Sequence, residues 1–192
     1  MKKVPKAKIS REMVVNAAFE ITRREGIENV NARTVSEALG CSTQPVMYHF
    51  SKIEELKLAV CDVADIYHSE YLMDIGNTRG DIMHVIWLNY IRFAAVEPNL
   101  FRLLFQSGYA AGNSLIEMID SEGLRPILEM TSRDMGMELW QIKEVFLTMA
   151  LFAHGYAGML ANNTLKFDEG AVAEHLERTF SGAVLAMSDD GE

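Results

Sequence analysis

The residues with the clearest chemical potential form a short polar run, Ser42, Thr43 and Gln44, shortly after Gly40. A glutamine amide can hydrogen bond bidentately to adenine, and a threonine methyl group can contact thymine. Catalysis finds less support, because the five histidines are scattered and the sequence has no nucleotide-binding loop, Ser/His/Asp set or metal-ligand spacing. The sequence therefore favours binding, and we expect no enzymatic activity, no metal and no cofactor.

Two short helices are predicted on either side of Gly40. Asn31 can cap the first helix, and Gly40 can end it. Ser42 can cap the second helix, which runs to about His49 and has Pro45 in its first turn, where a missing N–H costs little. This arrangement is a candidate helix-turn-helix, in which one short helix can enter a major groove.

Longer helices are predicted before and after this pair. Ser10 can cap the preceding helix and Gly26 can end it, while Ser51 and Glu54 can form a capping box that opens the following one. Further helical patterns continue to the C-terminus, and no alternating strand pattern occurs, so we predict an all-α fold of about nine helices. The helix that follows Ser51 is predicted to end near Gly76, and later helices to begin at Asp81 and Pro98. A helical region from Asn113 is interrupted by Gly123 and Pro126, so we expect two pieces or one kinked helix. The last two helices are predicted from Glu138 to Asn162 and after a cap at Asp168.

The charge of the chain is unevenly distributed. The 192 residues include 18 Lys and Arg against 27 Asp and Glu, which gives a net charge of -9. Up to Lys57 there are 10 basic and 7 acidic residues, net +3, and the remainder has 8 basic and 20 acidic residues, net -12. The negative net charge of the whole chain argues against nonspecific binding of nucleic acid along its surface. The positive net charge of the first 57 residues nevertheless permits a local anion-binding surface.

Compartment and membrane signals point to the cytoplasm. Two cysteines, Cys41 and Cys61, are too few for a disulfide framework, and no apolar run follows the N-terminal lysines. Val145 to Leu165 carries no Asp, Glu, Lys or Arg over 21 residues, nominally long enough to cross a bilayer. Because small residues recur in it at helical spacing, we interpret it as a buried helix packed closely on another, and expect no membrane.

Residues 10–57 contain a series of short motifs. They are Gly26-Ile27-x-x-Val30-Asn31, Val35, Ala38-Leu39-Gly40-Cys41-Ser42, Tyr48-His49-Phe50 and Glu54-Glu55-Leu56. Together they resemble the N-terminal domain of tetracycline-repressor (TetR) family transcriptional regulators. The resemblance implies a homodimer whose third helices enter successive major grooves of a palindromic double-stranded DNA operator, a DNA-binding domain at 1–57, and a helical effector-binding and dimerisation domain at 58–192. We expect a repressor that a small apolar effector releases.

Seven residues are candidates for DNA contact: Arg33, Ser42, Thr43, Gln44, Tyr48, His49 and Lys52. Arg33 lies in the first turn of its helix, where the dipole disfavours a cation, so a phosphate partner and a solvated surface position both explain it. Two residues depart from the family pattern. Met47 replaces a usual aromatic, with Tyr48 one position later, and Lys52 stands one position before the usual lysine. A shift of one residue rotates a side chain by about 100° around a helix, enough to turn it away from the DNA backbone. The alternative is therefore a helical adaptor or small-molecule-binding protein that has lost DNA binding.

The second half offers candidates for an effector pocket and a dimer interface. The pocket candidates are Trp87, Tyr90, Phe93, Phe105, Tyr109 and His154, most of which ordinary core packing explains equally well. His154 is included because of the resemblance. The interface candidates lie on two apolar helical stripes: Ala150, Ala157, Ala161, Leu176, Phe180 and Val184. Paired about a two-fold axis, the two stripes would form a four-helix bundle.

Overall fold

The structure, a computed structural model, describes residues 9–76, 82–109, 119 and 122–189. Within these ranges it contains nine α-helices, one 3₁₀-helix and no strand, which confirms the predicted all-α fold. The helices are α1 (Arg11–Glu25), the 3₁₀-helix Ile27–Asn29, α2 (Ala32–Ala38), α3 (Thr43–His49), α4 (Ile53–Leu72), α5 (Ile82–Val96), α6 (Pro98–Gln106), α7 (Arg125–Met135), α8 (Leu139–Ala161) and α9 (Glu169–Asp189).

The chain forms two compact units. The first unit comprises Met1–Ser69 and Glu97–Ala110, and therefore contains α1, α2, α3, most of α4 and α6. The second comprises Glu70–Val96 and Ala111–Glu192, with α5, α7, α8 and α9. The sequence predicts a boundary at Lys57 between a DNA-binding and an effector-binding domain, and this functional boundary stays a prediction. The boundary between the two compact units lies instead within α4, near its C-terminal end.

Local capping explains where the helices of the first unit begin and end. The Ser10 hydroxyl accepts a hydrogen bond from the Met13 N–H at 3.1 Å, and Gly26, with φ of 94°, ends α1. The Asn31 side chain accepts from the N–H groups of Arg33 and Thr34, both at 3.0 Å. These caps confirm three predicted helix boundaries. The helices then bury an apolar core: Val14, Ala18, Ile21, Val30, Val35, Val46, Phe50, Leu56 and Val60.

Helix α8 is the central element of the second unit. It packs against α5, α7 and α9. By length and composition it could cross a membrane, with a mean hydropathy of 1.3 in its most apolar window, but 44% of that window is buried. Its small residues lie on the buried face and allow close approach of the neighbouring helices: Ala150, Ala153, Ala157 and Ala161. The uncharged segment is therefore packed closely on its neighbours along this face, as the spacing of its small residues predicted.

Two predictions about α4 are wrong. The helix ends at Leu72 rather than near Gly76, because the Asn89 amide of α5 donates to the carbonyl of Leu72 at 3.3 Å and to that of Asp74 at 3.1 Å. These bonds satisfy carbonyl groups that a longer helix would have used. The helix also begins at Ile53, one residue later than the predicted capping box requires. The Ser51 hydroxyl therefore donates to the carboxylate of Glu55 rather than pairing with Glu54, at 3.1 Å to each oxygen.

The segment before α7 agrees with a predicted interruption at Gly123 and Pro126. Pro126 lies in the first turn of α7, where a proline is well tolerated, so a separate helix begins there. Pro98 begins α6 as predicted, and α8 and α9 have almost the predicted bounds. The predicted boundaries at Asp81 and Asn113 lie outside the described residues.

Candidate nucleic-acid interface

The turn between α2 and α3 depends on Gly40. Its φ of 61° lies in the left-handed region, which glycine adopts at little cost. The Gly40 N–H donates to the Glu37 carbonyl at 3.1 Å, and the Cys41 N–H donates to the Ser36 carbonyl at 3.0 Å. These two bonds form a Schellman motif, which ends α2 and sets the direction in which the chain enters α3.

One face of α3 is anchored to the first unit. Val46 and the adjoining Phe50 are buried in its core, and the Arg11 guanidinium lies 4.7 Å from the centre of the Phe50 ring. The His49 ring nitrogen Nε2 lies 2.9 Å from the Ile9 carbonyl oxygen, within hydrogen-bonding distance. This bond ties α3 to the segment before α1, and the predicted contact of His49 with DNA stays a prediction.

The opposite face of α3 is exposed. It presents Thr43, Gln44, Met47 and Tyr48, and Tyr48 is 79% and Met47 43% exposed. The side chain of Ser42 makes no capping hydrogen bond, so capping does not account for this residue, although it occupies the predicted N-cap position. Sequence reasoning missed Met47 as a surface residue. Its position three residues after Gln44 and four after Thr43 was the available signal.

Two basic residues lie close in sequence to α3. Arg33 is exposed on α2, and its Nε lies 2.8 Å from the Glu37 carboxylate one turn later, which raises the pKa of Arg33. This ion pair explains why a cation is tolerated in the first turn of α2, and a phosphate would have to compete with Glu37. Lys52 is exposed immediately before α4. Phosphate contact by Arg33 and Lys52 stays a prediction.

A buried polar cluster, which sequence reasoning missed, links three helices of the first unit. Glu97, only 4% exposed, precedes α6 and accepts hydrogen bonds from Arg23 Nε at 2.8 and 2.9 Å. The Tyr67 hydroxyl of α4 lies 3.4 Å from the same carboxylate, and burial together with that negative charge raises the pKa of Tyr67. The Asn99 amide donates to the Arg23 carbonyl at 3.0 Å. Arg23 and Glu97 are 74 positions apart, so no local sequence pattern reveals this pair.

The six pocket candidates do not form one site within either unit. Phe105 and Tyr109 belong to the first unit, where they contact His68 and Lys57 respectively. Phe93 is fully buried in the second unit and packs on Tyr71, with ring centres 5.3 Å apart. Core packing therefore accounts for Phe93.

Tyr90 and His154 do meet in the second unit, beside Trp87. The Tyr90 hydroxyl lies 2.8 Å from His154 Nδ1, and the rings of Trp87 and Tyr90 are in edge contact at 6.2 Å. Burial raises the pKa of Tyr90 and lowers that of His154. Both shifts favour the neutral forms near pH 7, so the two side chains form an uncharged hydrogen-bonded pair.

A small apolar cavity lies in the second unit. Its volume is about 20 Å³, enough for one water molecule, whereas small-molecule pockets usually measure about 300 Å³ or more. Trp87 is the pocket candidate that lines it. Phe180 also lines the cavity, so this interface candidate has an internal role. The lining residues are Met83, Trp87, Leu128, Thr131, Ile142, Val145, Phe146, Met149 and Phe180.

Most of the predicted dimer interface is buried within the chain. Ala150, Ala157, Ala161 and Leu176 are at most 3% exposed, because α8 and α9 pack against each other and against α5. These four residues are not available to a partner, and Val184 is half-buried. Exposed residues on the other faces of the same helices include Leu151, Gly155, Met159 and Leu185.

Comparison of the sequence with protein-family models and with curated proteins found no match. Among the described residues, no group of three His, Cys, Asp or Glu side chains is placed to hold a metal ion. The functional interpretation therefore depends on the geometry of α3 and of the exposed helix faces.

Proposed function

We propose that this protein is a dimeric DNA-binding transcriptional regulator of the TetR type, a cytoplasmic repressor that binds a palindromic operator and that a small apolar effector releases. The observation that carries the proposal is the two-sided character of α3. Val46 anchors one face, and the other presents Gln44 and Tyr48 after a Schellman turn. A short helix held in this way is suited to insertion into a major groove.

The exposure of Tyr48 favours this function over a protein that has lost DNA binding. The one-residue shift from the family position is the main argument for such a loss. In this structure, however, Tyr48 lies on the same accessible face as Gln44, one helical turn away, and is 79% exposed. Its hydroxyl can therefore reach the edge of a groove, and Lys52 and Arg33 supply nearby positive charge.

The exposed face of α8 supports a dimer. Leu151, Gly155 and Met159 follow one another at four-residue intervals, and Leu151 is 61% exposed. A Cβ atom added to Gly155 would meet nothing within 4 Å, so the glycine leaves a shallow depression between two apolar side chains. A glycine within a helix costs about 1 kcal/mol relative to alanine, and close approach of a second copy would offset that cost. Two copies would also supply the two reading helices that a palindrome requires.

The apolar lining of the cavity, rather than its volume of about 20 Å³, supports a small apolar effector. Its walls contain no charged residue, and Thr131 is the polar side chain among them. Met83 and Met149 are unbranched and can change rotamer at low cost, so they can open the space when a ligand enters. Effector binding would then require the packing of the second unit to change.

Fluorescence anisotropy tests the proposal. The full chain is titrated onto labelled DNA from upstream of its own gene and onto a random duplex, at two salt concentrations. We expect specific binding well above the random control, with an affinity that falls as salt rises, because cations neutralise phosphates. The same affinity for random DNA, for the upstream DNA and for every site selected from a random duplex library would contradict the proposal.

Two variants show which residues carry the binding. Gln44→Ala should weaken binding to the specific site more than to random DNA, since it removes a base contact. Arg33→Ala should weaken both and flatten the salt slope by about one unit. Glu144→Ala, at an exposed position on α8 in the second unit, is the matched control and should leave both affinities unchanged.

A further inference from the structure

The exposed side chains of α3 limit which bases the helix can read. We infer that α3 reads two adjacent A·T base pairs, with Gln44 hydrogen bonded to adenine and Met47 packed on the thymine methyl group. This inference rests on the proposed function, because it specifies the DNA that the same surface binds.

The side chains that α3 lacks disfavour the other bases. Guanine is usually read by Arg or Lys and cytosine by Asp or Glu, and the segment Thr43–His49 contains none of these residues. Histidine could also donate to guanine, but His49 Nε2 is held by the Ile9 carbonyl and the ring is partly buried. The charged side chains that most often read G·C pairs are therefore absent from α3.

The side chains that α3 does present match an A·T pair. The exposed amide of Gln44 offers one donor and one acceptor, the pattern that adenine N7 and N6 complement. Met47 is a large apolar side chain that remains 43% exposed, although neighbouring Val46 is fully buried. The thymine C5 methyl group is the apolar feature of the major groove, and covering it removes apolar surface from water on both sides.

The spacing on α3 suits neighbouring base pairs. Gln44 and Met47 are three residues apart, which is about 4.5 Å along the helix axis, and successive base pairs are about 3.4 Å apart. This separation is closer to one base-pair step than to zero, so the two side chains face adjacent base pairs. Thr43 lies one turn before Met47 and adds a methyl group on the same side.

Base analogues test this inference directly. Sites are selected from a random duplex library with the full chain, and the best site is then measured by fluorescence anisotropy with single changes. We expect an A·T to G·C change at the two positions to weaken binding about 5- to 100-fold. Replacing one thymine by deoxyuridine removes only the methyl group and should weaken binding about three- to fourfold.

Matched variants assign the contacts. Met47→Ala should abolish the difference between thymine and deoxyuridine, and Gln44→Ala should abolish the preference for adenine. Met130→Ala, at a methionine of α7 that is 37% exposed, should retain both preferences. Far-UV circular dichroism checks that each variant is folded, as expected for surface positions.

The outcomes separate this inference from the proposed function. Selected sites with invariant G·C pairs at the positions that Gln44 and Met47 contact, or sites insensitive to deoxyuridine, would overturn the inference and leave a sequence-specific DNA-binding protein. Failure to enrich any site would overturn both.

Discussion

The two compact units are stabilised in different ways. In the first unit a buried carboxylate, Glu97, joins α6 to α1 through Arg23 and lies near Tyr67 of α4. In the second unit α8 packs through small and apolar side chains around a cavity of about 20 Å³. Hydrogen-bonded ion pairs are directional and hold one geometry, whereas apolar contacts tolerate repacking. The unit that presents α3 thus contains a directional buried carboxylate cluster, whereas the side chains around the cavity of the other unit make apolar contacts that tolerate repacking.

The largest expected effect is the loss of the buried ion pair. Arg23→Ala leaves Glu97 buried without its cation; because the Arg23 side chain is itself 37% exposed, we expect the free energy of unfolding to fall by about 3 kcal/mol, the lower end of the range for a buried pair. Urea unfolding followed by circular dichroism measures the loss, and hydrogen exchange should locate it in α1. The control is Arg24→Ala, which removes an exposed pair with Glu25 and should cost less than about 1 kcal/mol. Equal losses in the two variants would contradict the directional role of the cluster.

Acidification should also destabilise the first unit, through His68. Burial lowers the pKa of His68 to about 4 from an ordinary value of 6.5, so between these values the unfolded chain binds more protons than the folded one. Stability therefore falls as the pH drops through this window, by about 2 kcal/mol between pH 7 and pH 5. The measurement is urea unfolding of wild type and His68→Gln at both pH values. The variant should lack this component, and an identical pH dependence in both proteins would refute it.

Filling the cavity of the second unit should have a smaller effect. Val145→Ile adds one methylene group beside the existing space, and we expect the free energy of unfolding to change by less than about 1 kcal/mol. Ala153→Val on the same helix is the comparison, since Ala153 is fully buried and does not line the cavity, and overpacking there should cost about 1–3 kcal/mol. Thermal unfolding measures both. A large loss for Val145→Ile would show that the second unit adapts poorly.

The smallest effect on folding is expected at the exposed face of α8. Leu151→Asp should change the free energy of unfolding of the monomer by no more than about 0.5 kcal/mol, because the side chain is 61% exposed. It should nevertheless separate a dimer into monomers, since it places a carboxylate in the proposed apolar interface. Sedimentation at several protein concentrations measures this. A dimer that persists would place the interface elsewhere.

Local sequence signals predicted most of the first unit. Ser10 and Asn31 cap helices because their side chains accept nearby N–H groups, and Gly26 and Gly40 end helices because they tolerate positive φ. These interactions span six positions or fewer, so they can be read from the chain directly. The polar run Ser42, Thr43 and Gln44 can also be read directly, because its residues are consecutive in the sequence.

Only the tertiary structure decided which faces meet. The stripe containing Ala157 was correctly assigned to close helix packing, but its partners are α5 and α9 of the same chain rather than a second copy. Periodicity identifies an apolar face without stating what covers it. The pair Arg23–Glu97 and the separation of Phe105 from Trp87 into different units likewise depend on contacts between distant positions. The sequence by itself therefore determined most of the helices and the polar run at the start of α3, because caps and turns act over a few positions, while long-range packing decided which side chains became core, cavity and surface.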